Sequence, residues 1–310
     1  MIEDPVVIVG ASRTPLGGFG GDLSSLSAPE LGAVAISDAI TKSGIKITDV
    51  NEVIMGVVLP AGQGQAPARQ ASIGAGIPKA VGATTINKMC GSGMKATMLA
   101  HDNILSGSHE IMVAGGMESM SNAPYLLPDA RSGMRMGHGQ LKDHMFLDGL
   151  EDAYDKGTLM GVYAENTAEA YQFTRDAQDE FSITSLKRAL LASENGYFSD
   201  EIVPITVQSR KAETVIKSDE QPRNARPEKI PELRPAFREH GTVTAANSSS
   251  ISDGAAALIL VRRSEAEKQG LTPLAAILGH ATHAQDPEWF TTAPIEAINK
   301  VLEKASWNKD

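Results

Sequence analysis

Four short strand-like runs in the first 116 residues, three of them apolar, separated by stretches with helical spacing, constrain this chain more than any other feature. Val6-Val7-Ile8-Val9 ends at Gly10, and Val53-Ile54-Met55-Gly56-Val57-Val58 follows it. Thr84-Thr85-Ile86 and Ile111-Met112-Val113-Ala114 complete the set. Runs this short suit strands, the Val6–Val9 run a buried one, with Thr84-Thr85-Ile86 as a strand running into Cys90. Between them, residues 28–43 suit a helix opened by Pro29, residues 69–76 a shorter helix, and residues 93–105 an unusually apolar one. Alternation of this kind predicts an α/β layered fold with at least some parallel strands.

The rhythm breaks after Gly116. Residues 117–246 are richer in Met, Pro, Arg and acidic side chains and read as an insertion. Helices are expected near 161–172 and 175–193, the second capped by Thr174. Glu220 to Pro235 holds four prolines and several charges and is expected to be loop. Gly254-Ala255-Ala256-Ala257-Leu258-Ile259-Leu260-Val261 then restores a buried strand. Beyond it, Pro273 to Gly279 resembles the opening strand and Pro294 to Lys304 the first helix, as if a second copy of the first unit were beginning. A length of 310 residues suits about two domains.

Charge narrows the partners. The formal net charge is −10 and the acidic residues are dispersed, whereas a nucleic-acid footprint is basic overall or carries a basic stripe. No apolar stretch reaches the roughly 18 residues that span a bilayer, and the opening Met-Ile-Glu-Asp lacks the basic and apolar regions of a signal peptide. Neither nucleic acid nor membrane is therefore an expected partner. The single cysteine forbids an intrachain disulfide. A lone thiol fits a reducing compartment, and a cytoplasmic location is expected.

That cysteine is Cys90, in Asn87-Lys88-Met89-Cys90-Gly91-Ser92-Gly93-Met94-Lys95-Ala96. A strand ends, the thiol follows, and small residues lead into the apolar helix. A helix N-terminus offers partial positive charge and free N–H groups to an anionic sulfur. Gly91 and Gly93 let a substrate carbonyl approach both sulfur and backbone. Such a sulfur can exchange with a thioester, since it leaves as readily as it attacks. The residues alone leave a second reading open, because a free cysteine is often just a small buried apolar side chain.

The segment Asn87-x-x-Cys90-Gly91-Ser92-Gly93-Met94-Lys95-Ala96 resembles the nucleophile motif of the thiolase family. Four further stretches resemble that family in order: Ala114 to Ser121, Met160-Gly161-x-x-Ala164-Glu165-Asn166, Leu233 to Phe237 with Gly241 to Asn247, and Ser252 to Ala257. The resemblance covers essentially the whole chain. It implies a layered fold of two similar mixed-sheet halves with an inserted loop domain, the second half incomplete here. Residues 1–116 with 247–270 would form the first half, 117–246 the coenzyme A-binding insertion, and 271–310 the start of the second half. It also implies acyl transfer between acyl-CoA and coenzyme A, or a second acyl-CoA, through an acyl-Cys90 intermediate. Such chemistry includes thiolysis or condensation of acetoacetyl-CoA and longer 3-ketoacyl-CoA. Coenzyme A would be a substrate, no cofactor or metal is implied, and the assembly would be a homo-oligomer, tetramer or dimer.

Carried over residue by residue, Ser249 would contact the pantetheine chain and Met160 would line the pocket, with core packing as its bland alternative. Arg223 would pack on the nucleotide, though a solvated loop arginine is the competing reading. Leu150, Phe237 and Phe290 would line the acyl and pantetheine channel, or be ordinary core residues. Leu159 stands where biosynthetic members often carry His, which bears on acyl-chain preference. His101, His109, His138, His144, His240, His280 and His283 show no metal-binding spacing and are read as structural. Gly17 to Gly21 lacks the spacing of a dinucleotide site. Three late family motifs, Asn-Glu-Ala-Phe, Gly-His-Pro and Cys-x-Gly-Gly-Gly, do not occur in these 310 residues. The expectation that follows is negligible condensation activity for this chain alone. A silent coenzyme A-binding module is the alternative. Exposed apolar surface between Leu274 and Leu302 is also expected.

Overall fold

The computed structural model describes residues 3–208 and 213–309. Strand β1 (Val6–Arg13) and a two-residue β2 (Gly17–Gly18) precede helix α1 (Ala28–Ser43). Pro29 opens that helix as expected. Ser27 caps it in a reciprocal box with Glu30, which the sequence Ser-x-x-Glu announces. Strand β3 (Glu52–Gly56), helix α2 (Pro67–Gly74), strand β4 (Gly82–Ile86), helix α3 (Ser92–Leu105) and strand β5 (Ile111–Ser119) complete the first unit.

After a small hairpin of β6 (Tyr125–Leu126) and β7 (Lys142–Asp143) come helices α4 (Met160–Ala170) and α5 (Arg175–Glu194). Thr174 caps α5 by accepting from the Ala177 N–H. A second hairpin, β8 (Ile205–Gln208) with β9 (Glu213–Ile216), leads to a short helix α6 (Glu220–Asn224). Residues 220–235 are thus not simply loop. They hold α6 and a 3-10 turn over Pro227–Glu232, which Pro227 can open because proline at a first helical position costs no hydrogen bond. The long strand β10 (Ser252–Arg262), helix α7 (Arg263–Gln269), the short β11 (Ala275–Ala276) and helix α8 (Ala293–Ala305) close the chain.

The main sheet runs β11-β1-β10-β5-β3-β4, with β2 also on β10. Pairs β3–β4 and β3–β5 are parallel, while β10 is antiparallel to both β1 and β5. Side chains of the central strands alternate between two buried clusters with the strand period of two. Val7, Val53, Met55, Val113 and Ile259 face α1 and α2, whereas Val6, Ile54, Met112, Ala114 and Leu260 face α3. Both faces are therefore covered, which explains why the strands read as continuous apolar runs.

The first residues of the 271–310 segment pair with the edge of the main sheet. Ala275–Ala276 adds to the first sheet, with Leu274 N–H donating to Ile8 O (2.8 Å) and Ile277 N–H to Val6 O (2.9 Å). The outer edge of β1 supplies partners that so short a strand otherwise lacks. Helix α8 is present where expected and buries none of its residues, and Leu274, Ile295 and Ile298 are exposed. Among the described residues no helix is long and apolar enough to cross a membrane.

Candidate active site

Parallel β3 and β5 end together, and α3 begins directly above them. The approach is backbone against backbone. A Cβ at Gly116 would lie 3.3 Å from the Gly93 Cα, and one at Gly56 would lie 2.5 Å from the Ser92 Cβ. The helix buries Ser92, Ala96, Ala100 and Ile104 at four-residue spacing. Its small N-terminal side chains let the first turn sit close to the sheet, while Ile104 fills the wider gap at the far end.

Cys90 lies in the turn that feeds this helix, and its side chain is exposed. Of the two readings open from sequence, exposure disfavours the buried apolar one. Met89 carries φ of 49°, a left-handed conformation that a non-glycine residue adopts at a cost of about 1–3 kcal/mol. Two side chains hold it there. Asn87 Oδ1 accepts from the Met89 N–H (2.8 Å), and Ser92 Oγ accepts from the Lys88 N–H (2.8 Å) while donating to Met89 O (2.6 Å). Gly91 and Ser92 N–H groups return to Lys88 O and Met89 O. Asn87 and Ser92 therefore belong to the site as turn-makers. Their recurrence around Cys90 was visible in the motif, but the strained Met89 was not.

The turn is tied to its surroundings through Val58, whose carbonyl accepts from Asn87 Nδ2 (3.3 Å). The Val58 and Leu59 N–H groups donate to the two oxygens of Glu118 (2.8 and 3.0 Å). Burial pushes the Glu118 carboxyl above its ordinary range. The two donors and His144 oppose that shift, and Asp253 adds to it. Between the unfolded carboxyl value and the raised folded one, the folded state holds more protons, so stability falls as pH rises across that interval. Glu118→Gln is expected to flatten this part of the profile. Urea midpoints measured from about pH 4, near the ordinary glutamate value, upward check it. Parallel profiles for the two proteins would contradict the assignment.

Several of the expected site residues have neighbours around the start of α4. A Cβ at Gly149, next to Leu150, would lie 3.4 Å from Leu59 Cδ2. Glu151 bridges Leu159, which precedes Met160 at the start of α4. The Phe237 ring lies on Gly161, where a Cβ would fall 2.3 Å from its Cε2. Phe290 meets Tyr163 of α4 edge to face at 6.4 Å. Leu150, Met160 and Phe237 are all partly buried, and Phe290 is exposed.

A cavity of about 750 Å³ opens between α5, α6, the following 3-10 turn and residues 245–250. Phe181, Gln221, Pro222, Arg226, Lys229 and Ser248 are among its walls. Ser250 lines it too, and exposed Ser249 lies between these two serines. Arg223 does not line it. Its guanidinium turns away to Asp22 (2.5 Å) and Ser218 (3.2 Å), and Arg226 and Lys229 are the cations on the cavity wall. Sequence could not show this, since Asp22 lies about 200 residues before Arg223. Cys90 lines neither this cavity nor the smaller one beside Tyr171 and Trp289.

The histidines are mostly hydrogen-bonded into the frame. His101 Nδ1 and His280 Nε2 both reach Asp102 Oδ1, at 3.0 and 2.8 Å. One carboxylate oxygen shared by two rings accounts for a gathering that no local spacing could reveal. His144 Nδ1 meets Asp148 (2.6 Å), and its Nε2 accepts from the Ala61 N–H at 3.3 Å.

A mixed sheet with an exposed thiol at the entry to a close-packed helix defines a layered α/β protein with a candidate nucleophile, and comparison with known proteins specifies the family. Residues 6–264 match the family described as "Thiolase, N-terminal domain". The acetyl-CoA acetyltransferase of Cupriavidus necator is 50% identical over 304 residues, covering 97% of this chain and 77% of that protein. The Schizosaccharomyces pombe acetyl-CoA acetyltransferase is 48% identical over 307 residues, covering 98% and 78%. The solved structure of the Syntrophomonas wolfei acetyl-CoA acetyltransferase superposes with a TM-score of 0.94 at 40% identity, over 99% of this chain and 77% of that one. The Bacillus anthracis acetyl-CoA acetyltransferase gives 0.95 at 41% identity, with the same coverage. The chain belongs to the thiolase family and has its fold, and its chemistry is thiolase-type acyl transfer. Nothing in these relatives supports the alternative of a silent module or the expectation of negligible activity for this chain alone.

Proposed function

We propose that the chain carries acyl groups between coenzyme A thioesters on the sulfur of Cys90. The observation that carries this reading is the exposed thiol on a strained turn, fixed by Asn87 and Ser92 at the entry to α3. The Cys90 thiolate attacks the carbonyl carbon of an acyl-CoA, and a carbon–sulfur bond forms. The tetrahedral adduct collapses, the bond to coenzyme A breaks, and coenzyme A leaves as its thiolate and takes up a proton. A second thiolate, or the enolate of another acyl-CoA, then takes the acyl group and releases Cys90.

Acetyl-CoA is the acyl donor that the relatives' names favour, and acetoacetyl-CoA is the condensation product in this reading. Coenzyme A enters as a substrate, and no resident cofactor or metal forms part of this scheme. In the same reading, residues 117–246 are the coenzyme A-binding insertion within a first half made of 1–116 and 247–270, and residues 271–310 lead toward a second half. The nucleotide occupies the cavity of about 750 Å³, a size suited to such a ligand. Arg226 and Lys229 meet its phosphates there. Ser249 flanks the pantetheine, and Leu150, Met160, Phe237 and Phe290 line the route toward the thiol. Arg223, carried over as a nucleotide contact, serves instead to hold α6 against Asp22. A homo-oligomer, dimer or tetramer, and a cytoplasmic location complete the reading. Exposed Met136 and Leu141 on the 125–143 hairpin offer apolar surface for assembly, and the free thiol suits a reducing compartment.

Brief incubation with acetyl-CoA followed by mass spectrometry is expected to find one acetyl group, on Cys90. An acetyl group elsewhere, or none under conditions where coenzyme A binds, would remove the basis of this proposal.

A further inference from the structure

Both walls of the large cavity connect to Arg13, a residue that does not line it. Arg13 ends β1, and its backbone grips the segment after α5: its N–H donates to Glu201 O (2.8 Å), and its carbonyl accepts from the Val203 N–H (2.9 Å). The guanidinium then divides. Its Nε donates to Glu201 Oε1 (2.6 Å), and its two terminal nitrogens reach the two oxygens of Asp219 (2.8 and 3.1 Å). The Phe198 ring lies 5.3 Å from the guanidinium carbon. Glu201 and Phe198 follow α5, whose Phe181, Ser182, Ser185, Leu186 and Ala189 form one wall. Asp219 opens α6, whose Gln221, Pro222 and Asn224 form the other.

Asp219 stands at the position where an aspartate ordinarily caps a helix. Here its side chain makes no cap bond and is spent on Arg13 and on the Leu16 N–H (2.9 Å). The next residue continues the attachment. Glu220 Oε2 accepts from the Gly18 and Asp22 N–H groups (2.8 and 2.9 Å), and the Glu220 N–H donates to Leu16 O (2.9 Å). Helix α6 therefore has a docked side, Asp219, Glu220 and Arg223, and a cavity side. Five residues are too few to form a stable helix alone, so the position of that wall is decided by the docking. The Arg13 and Asp219 side chains are only 18% and 9% exposed, which shields the pair from salt.

We propose that Arg13 is a positioning residue for coenzyme A. By bridging Glu201 and Asp219 it fixes the spacing of the two cavity walls, and so sets affinity for coenzyme A without touching it. The inference depends on the coenzyme A reading given above. Only arginine has donors in a planar fork that can hold two carboxylates on different edges at once, and lysine keeps the charge but not the fork.

The test compares full-chain wild type with Arg13→Lys, measuring the dissociation constant of coenzyme A by calorimetry and the rate of Cys90 alkylation by iodoacetamide. The variant is expected to bind coenzyme A about tenfold more weakly, as a misplaced wall would dictate, while Cys90 alkylates at the wild-type rate. Where acyl exchange is followed, KM for coenzyme A rises and kcat stays. Asp219→Asn, which keeps an acceptor for Leu16, is expected to act in the same direction and serves if Arg13→Lys does not fold. Equal coenzyme A affinity in wild type and variants overturns the positioning role and leaves the proposed function intact. Parallel losses of affinity, alkylation rate and melting temperature overturn it in favour of general structural support. A wild-type chain that does not bind coenzyme A overturns both proposals at once.

Discussion

Cys90→Ala is expected to abolish exchange of labelled coenzyme A into acetyl-CoA while coenzyme A binding survives. The expected loss is at least about 10³-fold, the scale seen when a covalent nucleophile is removed and only binding remains. No other thiol in the chain can take over, because Cys90 is its single cysteine. The surrounding turn is held by Asn87, Ser92 and backbone groups, and Cys90 is exposed. The substitution therefore leaves no cavity, and stability should stay within about 0.5 kcal/mol of wild type. Cys90→Ser refines the experiment. A hydroxyl in the same place is the weaker nucleophile, so the ester it forms should accumulate slowly or not at all. Exchange by Cys90→Ala at anything near the wild-type rate would move the chemistry to another group.

The limits of the sequence follow from the range of each signal. Strands β1, β3 and β5 and helices α1 and α3 were legible because each carries its own apolar residues, while β4 was legible from the β-branched Thr84-Thr85-Ile86 although none of its residues is buried. Cys90 was legible as a candidate because the small residues around it are contiguous. The position of β10 was not. Its residues read as a buried strand, yet nothing local says that it enters between β1 and β5, antiparallel to both, more than 130 residues after β5. Ala275–Ala276 fails for the same reason: its pairing with β1 is decided by an open edge, not by its own composition. At Arg223, type and neighbourhood matched a nucleotide contact, but direction depends on Asp22, and direction is what separates a wall residue from an anchor. Arg13, bonded to Glu201 and Asp219, is invisible to any local reading. The left-handed Met89 is equally hidden, because strain is imposed by its neighbours rather than requested by its type.

Gly56→Ala carries the second large expectation, and it tests whether the site depends on how closely α3 lies on the sheet. A methyl group at this position would lie 2.5 Å from the Ser92 Cβ, 2.6 Å from the Ser92 carbonyl carbon and 2.8 Å from the Gly93 nitrogen. All three distances are inside van der Waals contact, and two of the three atoms are backbone, so no rotamer change relieves them. Strand β3 cannot retreat, since it is hydrogen-bonded on both sides by β4 and β5. The first turn of α3 must move instead, and Ser92, which holds the Lys88–Met89 turn through two hydrogen bonds, moves with it. Overpacking of this kind costs about 1–3 kcal/mol. Displacing the sulfur by about 1 Å is expected to cost roughly 100-fold in acyl exchange, out of proportion to the loss of stability. Gly82→Ala is the control. It changes the same residue type in neighbouring β4, where the nearest atom to a new Cβ is the Glu52 Cγ at 3.9 Å. It should leave both exchange and stability close to wild type. If Gly56→Ala also kept wild-type exchange, the close seat of α3 would be packing alone, and the turn would hold Cys90 in place without help from the sheet beneath it.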